Sequence, residues 1–180
     1  MLTKKKLYIR HVDDIFVLME NNHYLDTFYN KMNTIHPNLQ FTLERPNDNK
    51  LPLLDTEIKK IKNQLQTSVY RKPTDTNLIM QYTSTCPKAW KLGLINFHLN
   101  RALKISSNFL TFKEELFKIK NLLLKNQYPK QLIEIKIHRF LEDHKVDNIT
   151  FKQNQTTKSN TKSNQGNSFN FTTNYIGIPH

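Results

Sequence analysis

Two neighbouring carboxylates, Asp13 and Asp14, are the residues of this sequence best placed to do chemistry. They stand between the β-branched and aromatic runs Leu7 to Val12 and Ile15 to Met19. Like charges repel and strands disfavour Asp, so such a pair calls for a compensating partner. A hard divalent cation supplies one. Mg²⁺ takes one or two carboxylates and fills its remaining sites with water and substrate phosphates, and two such ions can clamp the attacking and leaving oxygens of a phosphoryl transfer. A solvated turn is the plainer account of an isolated Asp-Asp, since Asp is a common turn residue.

A second group of residues could hold a phosphate backbone. Tyr70, Arg71 and Lys72 are consecutive, Lys59, Lys60 and Lys62 lie shortly before them, and Lys88, Lys91, Arg101 and Lys104 follow in a stretch of helical period. Long cations beside an aromatic ring can pair with phosphates while the ring stacks on a sugar or base. Ordinary solvated lysines would account for any one of them taken alone. Other chemistries find less support. The seven histidines form no HExxH, and one cysteine, Cys86, rules out an internal disulfide and a thiolate metal cluster within the chain. Cys86 has no evident base nearby in sequence to activate it. Three glycines form neither GxGxxG nor GxxxxGK.

Elements that would position these groups can be read from periodicity. The runs on either side of Asp13-Asp14 predict a hairpin over 7–20. Asn22 is a candidate cap for a helix carrying Leu25, Phe28, Tyr29, Met32 and Ile35 on one face and stopped by Pro37. Leu39, Phe41 and Leu43 alternate with polar residues and predict a strand before the loop at Pro46. A further hairpin is expected with arms at 53–61 and 65–72 and its turn at 62–64. From Pro87 the period becomes helical, with Trp90, Leu94, Phe97, Arg101 and Ala102 on one face as far as about Ile105. Thr111 to Glu114 reads as a capping box for a helix striped by Leu116, Ile119, Leu122 and Leu123. Pro129 suits the first turn of a third helix burying Leu132, Ile133, Ile137, Phe140 and Leu141. The helical spacing of Trp90, Phe97, Leu116 and Phe140 marks them as core rather than a ligand box. After Phe151 the chain turns to Lys, Gln, Asn, Thr and Ser, too polar to order itself.

Composition sets outer bounds. Of 180 residues, 27 are Lys or Arg and 15 Asp or Glu, a net charge of +12 with 37% hydrophobic residues. That balance points to a polyanion such as nucleic acid as partner. No stretch reaches the roughly 20 apolar residues of a membrane span, and the basic start has no apolar run after it, so an intracellular location, nucleus or cytoplasm, is expected.

The ordered motifs resemble a known family. Tyr8 to Phe16 resembles the aromatic-x-Asp-Asp hairpin of reverse transcriptases. "LPLLDTEIKK", "LQTSVYRKPTDTN" and "YTSTCPKAWKLGLINFHLNRAL" follow in the order found in the reverse transcriptases of Penelope-like retroelements, the whole covering residues 7–110. The resemblance implies an α+β chain. Residues 1–85 would be the C-terminal part of the palm, with antiparallel hairpins and one packed helix. Residues 86–146 would be a three-helix thumb, or helix-turn-helix-like domain, and 147–180 a flexible tail leading into a connector. "FNFTTNYIGIPH" is similar to that connector, which in the family commonly leads to a GIY-YIG endonuclease absent from this sequence.

Carried over by position, Asp13 and Asp14 correspond to the catalytic pair holding Mg²⁺ or Mn²⁺, and the hairpin from Leu54 to Arg71 to the primer grip. Tyr70, Arg71, Lys72, Lys88 and Lys91 become contacts to an RNA or DNA primer–template. His11 and Val12 fall beside the incoming nucleotide, His11 where the family usually has an aromatic, which changes how a nucleotide would be handled. The family's other catalytic aspartate lies upstream, and no acid precedes Asp13 here. The expectation is a piece of an RNA-directed DNA polymerase, inactive alone and in need of the missing N-terminal palm and fingers. The alternatives are a non-catalytic helix-turn-helix module that binds nucleic acid and a degraded relic. A first hairpin without sheet neighbours is expected to expose an edge.

Overall fold

The computed structural model describes residues 5–19, 21–62 and 64–146. The expected tail over 147–180 lies outside these residues. The architecture is α+β: two small antiparallel sheets and four helices. The chain divides into two compact units between Leu65 and Gln66.

In the first unit, β1 (Lys5–His11) pairs antiparallel with β2 (Asp14–Met19), with His11 opposite Asp14, so that Val12 and Asp13 make a two-residue turn. Ile15, Val17 and Met19 alternate inward and bury against Leu25 and Phe28 of α1 (Asn22–Asn33). Phe16 points the other way, into a small cluster with Leu51 and Ile58. Among the described residues this sheet has two strands, and Leu7, Tyr8 and Ile9 of β1 are exposed.

Asn21, one residue before the expected cap, accepts a hydrogen bond from the Tyr24 N–H and starts α1; the helix ends at Asn33, ahead of Pro37, leaving Ile35 exposed. The strand expected at 39–43 is absent. Phe41 and Leu43 do pack against the α1 cluster, but the backbone groups of Phe41 are satisfied by one side chain: Asn33 Oδ1 accepts from the Phe41 N–H at 2.6 Å and Asn33 Nδ2 donates to its carbonyl at 3.3 Å. Alternation gave two of the three inward residues, Leu39 being exposed, but it could not show that a side chain would take the place of a neighbouring strand.

The second sheet begins with a strand the periodicity did not single out, β3 (Lys50–Leu53), which pairs with β4 (Thr56–Ile61) across a two-residue turn at Leu54-Asp55. The chain then turns at Lys62 into the sheet's third strand, β5 (Gln64–Val69), shorter than the expected arm to residue 72.

In the second unit α2 (Lys88–Ile105), α3 (Phe109–Lys125) and α4 (Lys130–Asp143) are joined by connections of three and four residues. Ile95, Leu99 and Ala102, then Phe112, Ile119 and Leu123, then Ile133 and Phe140 form one core, closed by Tyr128 from the second connection. Asn108 rather than Thr111 caps α3, accepting from the Thr111 N–H at 2.9 Å, so the helix starts a turn-length earlier than the capping box suggested. Two aromatics expected in the core are outside it: Trp90 is 65% and Phe97 58% exposed, whereas Phe140 is buried and Leu116 half-buried. A helix as apolar as α2 allows more than one candidate stripe, and the partners α3 and α4 took the one centred on Ile95 and Leu99. No helix among the described residues is long and apolar enough to cross a membrane.

Candidate functional site

The acidic pair sits where its flanking strands put it. Asp13 is exposed in the turn and Asp14, half-buried, opens β2. Between them and His11 lies Val12, whose φ of 51° places a β-branched residue in the left-handed region. Such a conformation costs on the order of 1–2 kcal/mol for an L-residue, and Val12, 70% exposed, recovers none of it by packing. Arg10 supports the turn, its Nε donating to the Val12 carbonyl at 2.9 Å. The turn at Leu54-Asp55 repeats the pattern, with Leu54 at φ 52° directly before an aspartate. As to a metal, two adjacent carboxylates suit a hydrated Mg²⁺ by donor chemistry, but no group of three or more His, Cys, Asp or Glu able to hold an ion exists among the described residues.

The basic residues named from the sequence have different surroundings in the second unit. Arg71 is committed to an internal partner. Its Nη1 donates to Glu115 Oε2 at 2.8 Å and its Nη2 to Glu115 Oε1, the forked pairing that suits a guanidinium. Glu115 is 4% exposed. The hydrogen bond to its carboxylate raises the Arg71 pKa above its ordinary value, against the opposing effect of burial. The carbonyl of half-buried Tyr70 accepts from Arg101 Nη2 at 3.4 Å. Lys91 is also engaged, donating to the Ser84 carbonyl at 2.6 Å with its ammonium 5.3 Å from the centre of the Tyr82 ring. Lys72 and Lys88 are exposed. His98 shares this charged neighbourhood: burial, then Arg101 and Arg71, hold its pKa below the usual imidazole value.

Sequence reasoning missed two residues that organise the unit. Glu115 interrupts the apolar stripe of Phe112, Ile119 and Leu122, and an acid on a buried face is a legible sign of a buried pair. Asn126, at the end of α3 and 1% exposed, is the other. Its Nδ2 donates to the carbonyls of Asn77 at 3.0 Å and Leu122 at 2.8 Å, and its Oδ1 accepts from the Ile79 N–H at 3.1 Å. One side chain thereby fastens the segment before α2 to the end of α3. At the other connection, Thr67 Oγ1 donates to the Ile105 carbonyl at 2.6 Å and the Thr67 N–H donates to Ser107 Oγ at 3.0 Å.

The second unit also holds the charge. Residues 66–146 carry fourteen Lys and Arg against six Asp and Glu, a net +8, whereas residues 1–65 carry ten against eight, a net +2. Among the described residues, three short-linked helices packed on one core and presenting exposed cations form a surface suited to a polyanion.

No curated protein and no solved structure matches this chain. A family model does match part of it: residues 78–138 are similar to the animal helix-turn-helix domain, a span that takes in α2, α3 and most of α4.

Proposed function

We propose that this chain binds nucleic acid through its helical unit, as a helix-turn-helix module. The observation that carries this reading is the coincidence of the helix-turn-helix match at 78–138 with the part of the chain holding most of the positive charge. Binding of this kind is dominated by phosphate contacts, so affinity should fall with salt at a slope of roughly 0.7–0.9 per phosphate neutralised. Fluorescence anisotropy of a labelled duplex, titrated between about 50 and 200 mM salt, is the test. A steep slope supports the reading; failure to bind, or an affinity indifferent to salt, overturns it.

Within that function the finer reading is a portion of a Penelope-like reverse transcriptase, in which the module grips an RNA or DNA primer–template. Residues 1–85 would then be palm, 86–146 thumb, and 147–180 tail and connector. The turn at Val12 supports this second reading: a strained, exposed β-branched residue beside two carboxylates is of little use to stability, and strain of this kind gathers at functional sites. On this reading Asp13 and Asp14 would hold Mg²⁺ or Mn²⁺, which when bound neutralises the phosphates of an incoming nucleotide, while His11 and Val12 lie beside that nucleotide. Paramagnetic broadening by Mn²⁺ tests the metal role. Amide signals from Val12 to Ile15 should broaden in the wild type and stay sharp in an Asp13→Asn/Asp14→Asn variant; identical spectra would remove it.

A further inference from the structure

The cations of α3 do more than add to a diffuse field. Lys118, Asn121, Leu122 and Lys125 recur at three- and four-residue steps and so share one face of the helix. With Arg71 and Asn77 from the segment after β5 they line a cavity of about 310 Å³. Its walls are fixed from several directions. Lys125 Nζ donates to the Thr76 carbonyl at 3.2 Å, Asn126 holds the Asn77 carbonyl, and Glu115 grips Arg71.

The charge balance is one-sided. Arg71 is neutralised by Glu115, but among the described residues neither Lys118 nor Lys125 has a carboxylate partner, and no acid lines the cavity. Asp75, close enough to raise the Arg71 pKa, spends one carboxylate oxygen on the Asn77 N–H at 2.9 Å. Unused hydrogen-bond donors converge on the space. Lys118 has three, Lys125 has two beyond the bond to Thr76, and the Asn121 amide adds more. Leu122 is the one apolar side chain in the lining, and the volume lies at the lower end of what small ligands occupy, about 300–1,000 Å³. Two uncompensated ammonium groups and side-chain amides beside pinned walls suit a tetrahedral oxyanion.

We propose that this cavity is a phosphate seat, in which Lys118 and Lys125 clasp one phosphodiester group of a bound nucleic-acid backbone and so set the register of the helical unit along the strand. The proposal rests on the nucleic-acid reading above and names residues that reading does not. Lys118→Gln/Lys125→Gln removes both charges while leaving a polar side chain, one atom shorter than lysine, that still carries two N–H donors at each position. Lys113→Gln, on the same helix but roughly 140° around it at 100° per residue, is the control. Unchanged far-ultraviolet dichroism and melting would show that all three chains are folded.

Salt titrations of duplex binding should give the double variant a log–log slope shallower by about 0.9 than wild type, the contribution of the one phosphate that the two lysines share, and leave the Lys113→Gln slope at the wild-type value. If wild type binds and all slopes agree, the seat is wrong while the nucleic-acid reading stands. If wild type does not bind duplex, that reading fails. Inorganic phosphate titrated against the Asn77 and Asn121 amide signals separates the remaining source: shifts there without duplex binding would assign the cavity to a small phosphorylated ligand and overturn the backbone assignment.

Discussion

The two compact units are held together by different means. The first has a two-stranded sheet with an exposed outer strand, two small apolar clusters, a segment held by Asn33 in place of a strand partner, and a net charge of only +2. The second has one core drawn from three helices, a buried ion pair, a buried asparagine that satisfies three backbone groups, and a net +8. The residues best suited to metal chemistry belong to the lightly packed unit, and those best suited to phosphate belong to the well-packed one. A surface crowded with like charges repels itself, and a large apolar core with buried polar ties can sustain that repulsion where a two-stranded sheet could not.

If that contrast is correct, the largest effect should come from the buried pair. Glu115→Ala leaves the Arg71 guanidinium without its partner and should destabilise the second unit by about 3–5 kcal/mol. Trp90, the chain's one tryptophan, lies on α2, so its fluorescence in a urea titration reports on this unit directly. A change under about 1 kcal/mol would show that the pair is no better than a surface one.

Asn126→Ala should follow, at roughly 2–3 kcal/mol, since it strands the Ile79 N–H and the Asn77 carbonyl near the core. Its counterpart in the first unit, Asn33→Ala, frees a more accessible segment that water can satisfy and should cost about 1 kcal/mol, read from amide exchange at Phe41. Equal costs at the two asparagines would break the comparison. Val12→Asn should run the opposite way, stabilising the first hairpin by about 1 kcal/mol because Asn tolerates a positive φ. If the strain serves the aspartates, the same change should also weaken Mn²⁺ broadening there.

The smallest effect is a pH dependence. His98 titrates lower in the folded protein than in the unfolded chain, so the unfolded state binds the proton first as pH falls. Stability of the second unit is therefore intact above about 6.5 and declines as pH drops through that value toward the folded pKa. His98→Gln should flatten the decline in urea midpoints between neutral and mildly acidic pH; an unchanged decline would assign it to other groups.

Much of this was legible in the chain itself. The runs around Asp13-Asp14 determined the first hairpin to within a residue or two, because two β-branched and aromatic runs separated by turn-forming aspartates can pair with each other in few ways. Pro87, Pro129 and the apolar steps of α3 and α4 likewise marked three helices, since a proline stands naturally at a helix start. The candidate carboxylates and the basic run at Tyr70 to Lys72 could be named from residue type alone. What the sequence could not settle was which face of α2 would be buried, because Trp90 and Phe97 are as apolar as the residues chosen instead; only the shape of α3 and α4 made that choice. Nor could it show that Arg71 would face Glu115, forty-four residues away, or that Lys118 and Lys125 would meet Arg71 and Asn77 around one cavity. Local pattern determines which residues share a face. Which faces meet depends on packing between distant segments, and here that packing converted a net charge spread along the chain into a place where a single phosphate can sit.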